Sequence, residues 1–318
     1  IRDQYYRGSC DSPKAQMISP RLTQRIAFSL LFLATLMVIL PVAVVLFIIV
    51  KNGLPGITWE FLTQMPKSGM RAGGILPAII GTFYLVLGAV IFALPLGVLA
   101  AIYLSEYSKD TWMSRLVRLA IINLAGVPSV VFGLFGLALF VGFFQFGASI
   151  LAGSLTLGVM ILPVIITSSR EALDAVPKSF REVSLSLGST KLQTIKHAVL
   201  PHALPGILTG TILGVGRAAG ETAPILFTVA AFYLPRLPQS AFDQVMALPY
   251  HLFVLSTQVP NVDAKIRYGT ALVLLTIVLL MNLIAMLKSV KSQCGSMLTP
   301  AFFSSSCPTS LSSSSLSL

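Results

Sequence analysis

The sequence predicts an all-α membrane protein: six transmembrane helices joined by polar loops, one of which is long enough to fold into helices of its own. Three observations carry this. Of 318 residues, 55% are hydrophobic and only 10% charged, against roughly 25% charged in a soluble domain. The mean hydropathy is +0.86. Six apolar segments approach or exceed the ~20 residues needed to cross a bilayer core.

Those segments are 26–50, 75–104, 118–142, 150–168, 206–232 and 268–287. The first is too long for the apolar region of a signal peptide, so it is expected to be a retained span. The second contains Pro77 and Pro95 and the fourth Pro163. Proline is tolerated inside membrane helices, so these predict kinks and not ends. The hydropathy has no internal repeat. Residues 1–25 read as a polar N-terminal segment, 26–291 as the membrane domain, and 292–318, Ser-rich and uncharged, as a disordered tail.

The formal charge is +11, but the basic residues lie in loops between spans, which argues against a nucleic-acid partner. Loops 1–25, 105–118 (Lys109, Arg115 and Arg118), 169–205 and 288–318 hold fifteen of the 22 Lys and Arg residues; loops 51–74, 143–149 and 233–267 hold six. The bias predicts a multi-pass protein of the cell membrane with both termini and the 169–205 loop in the cytoplasm. Cys10, Cys294 and Cys307 have neither metal-type spacing nor a disulfide framework. His197 and His202 read as interfacial polar residues, and His251 has no metal-ligand spacing around it. The outer loop 233–267 includes the apolar run 247–255, too short to span, which reads as a re-entrant or interfacial segment near the external mouth, where a binding protein would dock, or equally as a simple amphipathic loop.

The 169–205 loop is too charged to cross a bilayer and too periodic to be a bare connector. Pro177 suits the first turn of a helix. Phe180, Val183 and Leu187 then recur at helical spacing and predict an apolar face packed on the spans. Gly188 permits a left-handed stop, and Thr190 with Gln193 fits a capping box for a second helix. Leu192, Ile195 and Val199 line its inner face, and Pro201 and Pro205 are expected to close it before the fifth span. The turn Gly188-Ser189-Thr190 is presented outward. The loop reads as a docking element for a cytoplasmic partner; an amphipathic loop without one is the plainer alternative.

The remaining basic residue, Arg217, lies inside the fifth span, four residues before Glu221 and so on the same helix face. About eleven residues into the span, it sits roughly 16 Å deep. An ionised group there costs at least ~2.5–3.5 kcal/mol, so it must face a cavity or a partner. Gly210, Gly214, Gly216 and Gly220 surround the pair at spacings that admit a close helix neighbour. Functionally this is an anion path: the Arg217 fork suits phosphate oxygens, with Glu221 holding it between anions or accepting a proton from protonated phosphate. The alternative is a buried ion pair that only fixes helix packing. The run G-V-G-R-A-A-G has the wrong spacing and setting for a nucleotide fingerprint, and no G-x-x-x-x-G-K-[ST] occurs.

Glu182 to Pro201 resembles the coupling-loop motif of bacterial ABC importer permeases: Glu-Ala-Ala, three residues, Gly, nine residues, Ile, one residue, Leu-Pro. Glu182, Gly188, Leu200 and Pro201 match in register; Val183 and Ser184 replace the alanines and Ala198 the isoleucine. With the following R-A-A-G-E-T-A-P-I-L, the chain is similar over about 20–291 to the permeases of phosphate-specific importers. The resemblance implies a type I importer permease fold and a loop, with Ser189 and Thr190 at its tip, seated in a cleft of an ATP-binding subunit. It implies Arg217 and Glu221 as residues of phosphate passage. The implied partners are a second permease subunit, a dimer of ATP-binding subunits and an external phosphate-binding protein. This chain would need no cofactor, and ATP and Mg would be bound by the ATPase. An ion-coupled secondary anion transporter, marked by inverted repeats, is the alternative; a membrane anchor for a cytoplasmic enzyme would leave Arg217 unexplained.

Overall fold

The computed structural model describes residues 20–108 and 111–296. Lys109, Cys10, Cys307, most of the N-terminal segment and residues 297–318 of the tail lie outside that range. The first helix, α1 (Pro20–Gly53), contains the first predicted span. Its apolar side chains from Phe28 to Val50 are exposed almost throughout. A short helix, α2 (Trp59–Thr63), follows, capped by the Thr58 hydroxyl accepting from Phe61 N–H at 3.1 Å. A two-residue hairpin, β1 (Pro66–Lys67) and β2 (Ala72–Gly73), leads into α3 (Leu76–Ile102). Pro77 lies in the first turn of α3, where no intrahelical N–H is needed; it starts the helix and does not kink it. Pro95 lies inside. A π-helical turn, Tyr103–Tyr107, ends this run.

The third predicted span, 118–142, is not one helix. It is α4 (Trp112–Ala125) and α5 (Ser129–Gly136), the latter extended by a π-helical stretch Leu137–Phe143, and the two are bent by 101°. The cause is Gly126-Val127-Pro128: proline has no N–H to continue the ladder and pushes Val127 out of the helical region. Among the described residues, five helices are therefore long and apolar enough to cross a membrane, and six if the bent pair counts as one span.

The fourth span is α6 (Ile150–Asp174), with Pro163 accommodated inside. The segment 228–243 closes its N-terminus. Ser149 N–H donates to Thr228 O (3.1 Å), Ile150 N–H to Asp243 O (2.9 Å) and Leu151 N–H to Ala241 O (2.9 Å). Ala152 N–H donates to Ser149 Oγ (3.2 Å), so the first donors of the helix are all satisfied. Asp243 is fixed in turn by Gln239 and Ser240 N–H on Oδ2, which hold its carboxyl below the ordinary value.

Next come α7 (Lys178–Ser186) and α8 (Lys191–Thr194), then a π turn Ile195–Val199 that runs directly into α9 (Leu200–Gly220). Pro201 and Pro205 do not close the second loop helix as expected. The wider π turn relieves the clash of the Pro201 ring with the carbonyl four residues earlier, so 191–220 is one continuous run. The fifth span ends early instead. After Gly220 the chain is extended at Glu221 and restarts as α10 (Ala223–Thr228). Pro224 stands four residues past Gly220 and cannot donate to its carbonyl.

The run at 247–255 becomes α11 (Leu248–Thr257), packed into the core with Leu248, Tyr250, His251, Val254 and Leu255 buried. Leu248 N–H donates to Thr82 Oγ1 of α3 at 2.8 Å. The last helix is α12 (Ala264–Ser296).

The core lies where α3, α6, α9, α11 and α12 meet. Lipid offers apolar side chains no reason to leave it, so membrane helices pack by close backbone approach at small residues. A Cβ on Gly206 would lie 2.6 Å from Ala172 Cβ, and one on Gly210 only 2.1 Å from Ser168 Cβ. Gly214 faces Ile161 and Ile165. These pairs set the antiparallel register of α6 and α9.

Candidate functional site: a polar loop and a charged pair in the membrane domain

The loop begins where α6 ends. Pro177 caps α7 from outside and does not enter its first turn. No residue of α7 is buried. The expectation that Phe180, Val183 and Leu187 pack on the spans is overturned: all three are exposed, Leu187 by 80%. The helix is held at the bundle through other atoms, which leaves this apolar stripe outward. Beside it, Ser179, Phe180, Val183, Ser184, Leu187 and His197 line an open groove of about 550 Å³. The Phe180 and His202 rings approach to 4.6 Å.

Gly188 has φ +84°. Nothing lies within 4 Å of where its Cβ would stand, so the backbone conformation and not space requires glycine here. The capping box forms as expected: Thr190 Oγ1 accepts from Gln193 N–H (3.4 Å) and Gln193 Oε1 from Thr190 N–H (2.9 Å). Ser184 Oγ lies 3.0 Å from Thr194 Oγ1, so the position where the family motif has alanine pins α7 to α8. Ile195 and Val199 are buried as expected, but Leu192 points outward beside the turn. Glu182, Gly188 and Thr190 are exposed and Ser189 is half-buried. Leu200 and Pro201 stand apart from that tip, where the π turn becomes α9.

One feature of the loop was not legible in the sequence. Arg181 reaches out of α7 to Glu106 in the π turn ending α3. Nε and Nη2 both donate to Oε1, at 2.9 and 2.7 Å. Two further donations go to Val176 O (2.7 Å) and Leu173 O (2.8 Å). The partners are 75 residues apart, and no local pattern joins them.

The Arg217–Glu221 pair forms with Nε–Oε1 at 3.4 Å. Arg217 lies in the last turn of α9, where the helix dipole favours a cation. The α6–α9 register carries it to the level of about Met160 and Ile161, near the middle of α6. Gly216, Ala218 and Ala219 face the core, while Leu213, Arg217 and Gly220 share the opposite, exposed face. The Arg217 side chain is 37% exposed and that of Glu221 19%. A cation thus stands half-open midway along a helix of a membrane bundle, beside a break in the chain.

Residues 93–288 match the family described as binding-protein-dependent transport system inner membrane component. The chain belongs to that family. The matched region holds both the polar loop and the charged pair. The probable ABC transporter permease protein YqgI of Bacillus subtilis is 33% identical, covering 74% of this chain and 85% of the relative. The phosphate transport system permease protein PstA 1 of Mycobacterium tuberculosis is also 33% identical, over 83% of this chain and 87% of the relative. Among solved structures, a chain of a bacterial ABC transporter involved in import of the acidic polysaccharide alginate superposes with a TM-score of 0.55. It is 15% identical and covers 85% of this chain and 99% of that one; the likeness shows the shared fold. The permease is a multi-pass membrane component of a transport system and not its catalytic subunit.

Proposed function

We propose that this permease is a transmembrane subunit of an ATP-driven inorganic phosphate importer. It forms part of the translocation path and couples to separate ATP-binding subunits. The observation that carries the reading is Arg217: a guanidinium half-open near the middle of the bundle, held by a 3.4 Å contact to Glu221, in a chain whose relatives include phosphate transport permeases. A tightly sequestered pair would suit packing; a loosely held, accessible fork suits an anion that must bind and leave.

The remaining parts follow from the same reading. Glu182, Gly188, Ser189 and Thr190, with the outward stripe Phe180–Val183–Leu187, form the surface that seats in the ATPase, where ATP and Mg are bound. Leu200 and Pro201 carry its displacement into α9. The open flank of α9, where the Arg217 cation stands 37% exposed, calls for a second permease subunit. The Lys and Arg bias supports both termini and the loop in the cytoplasm, with the external phosphate-binding protein at the opposite face.

The test is uptake of radiolabelled phosphate by the reconstituted complex. Arg217→Gln is expected to abolish uptake while both permeases and the ATPase still co-purify. Loss of assembly would instead assign the pair to packing, and uptake at the normal rate would remove Arg217 from the path. Competition by sulfate and molybdate in the same assay reads the anion selectivity.

A further inference from the structure

The end of α3 is built to meet the polar loop. Its π turn puts three consecutive residues on one side: the Ser105 hydroxyl donates to the Asp174 carboxylate, Glu106 accepts twice from Arg181, and the Tyr107 ring lies under Lys191 Nζ at 4.7 Å. Arg181 is the hub. Its guanidinium also takes two carbonyls, Leu173 and Val176, at the end of α6, so one side chain joins α7, α3 and α6. The Glu106 side chain is only 9% exposed, where charge-assisted hydrogen bonds are strong and directional.

Such a pair adds little net stability over an apolar contact; what it supplies is fixed geometry. That matters because no residue of α7 is buried. Apart from its end turns and Arg181, α7 is tied, among the described residues, to the continuous 191–220 run, through Ser184–Thr194 and Phe180–His202; with no tie to α3 it could swing when pulled without moving that helix. We propose that Arg181 and Glu106 are positioning residues, a strut that carries displacement of α7 directly into α3, so that α3, α6 and α9 move as one body. This inference rests on the reading of the loop as the ATPase-facing element.

The test uses the whole complex in proteoliposomes with external binding protein, and reads phosphate imported per ATP hydrolysed together with the ATPase retained on purification. Glu106→Gln is expected to lower import per ATP at least about fivefold, the low end of coupling between sites, with the ATPase retained. In a second variant, Glu106→Cys with Arg181→Cys, Cys10, Cys294 and Cys307 are replaced by serine. A bis-methanethiosulfonate bridge is expected to restore coupling to within about twofold, and reductant to remove it again. Wild-type coupling in Glu106→Gln, or a bridge that forms by mass spectrometry without restoring coupling, overturns the strut. Failure of both variants to assemble also overturns it, assigning the pair to folding. Gly188→Trp run in parallel separates the two readings. If it leaves assembly and uptake normal, the ATPase-facing reading itself falls; if it uncouples while Glu106→Gln does not, only the strut falls.

Discussion

Single residues in this permease divide into those explained by backbone geometry and those explained by charge. Gly188 belongs to the first group. At φ +84° an L-residue costs about 1–2 kcal/mol, and the space around it is open. Gly188→Ala should therefore loosen the turn modestly and keep the complex, while Gly188→Trp should release the ATPase or uncouple hydrolysis from uptake, as read by co-purification and phosphate import. His251 belongs to the second. Buried in α11, with no protein partner for Nδ1 among the described residues, its imidazole is pushed down from 6.5 to about 4 by desolvation. The unfolded chain then binds more protons than the folded one between those values. Stability from the neutral ring is complete above pH 6.5 and is lost as pH falls toward 4, by about 3 kcal/mol at most. His251→Phe should flatten that acid loss in thermal melts taken from pH 7 to pH 4.5; an unchanged profile would show that the ring is hydrated or partnered.

At the scale of elements, the decisive contact is the seam between α6 and α9. Gly210 has no room for a side chain, since a Cβ there would meet Ser168 Cβ at 2.1 Å. Gly210→Leu should separate the helices and lower the yield of folded permease, measured as the monodisperse fraction in detergent, at a cost of roughly 1–3 kcal/mol or more. Gly220→Ala, where nothing lies within 4 Å, is the control that should fold normally. The capping box makes a smaller claim: Thr190→Ala removes the N-cap acceptor and should cost about 1 kcal/mol, seen as faster backbone exchange over α8. The bend between α4 and α5 and the break after α9 follow from Pro128 and Pro224. Both signals are in the sequence, yet hydropathy read them as continuous spans because apolar character runs unbroken through them.

For the whole molecule, the arrangement makes sense only in an assembly. The outward apolar surface of α1 suits lipid, but the polar loop presents an apolar stripe and groove at one end, and Arg217 stands open on the flank of α9. The chain purified alone into vesicles under an ion gradient should accumulate no phosphate; the complete complex with ATP should. Uptake by the chain alone would favour the secondary-transporter alternative over the proposed function.

Composition, span count, the capping box, the glycine stop and the pairing of Arg217 with Glu221 were legible in the sequence because each is a local property: hydropathy over twenty residues, or groups three and four positions apart in the chain. That α9 ends at Gly220, so that Glu221 pairs from extended chain and not from the shared helix face expected, was not. Which face of α7 points outward, how α9 runs unbroken from the loop to Gly220, why α11 is buried, and that Arg181 finds Glu106 were decided only by the tertiary structure. Those depend on partners brought together from distant segments, and single-chain periodicity is blind to what lies across the seam.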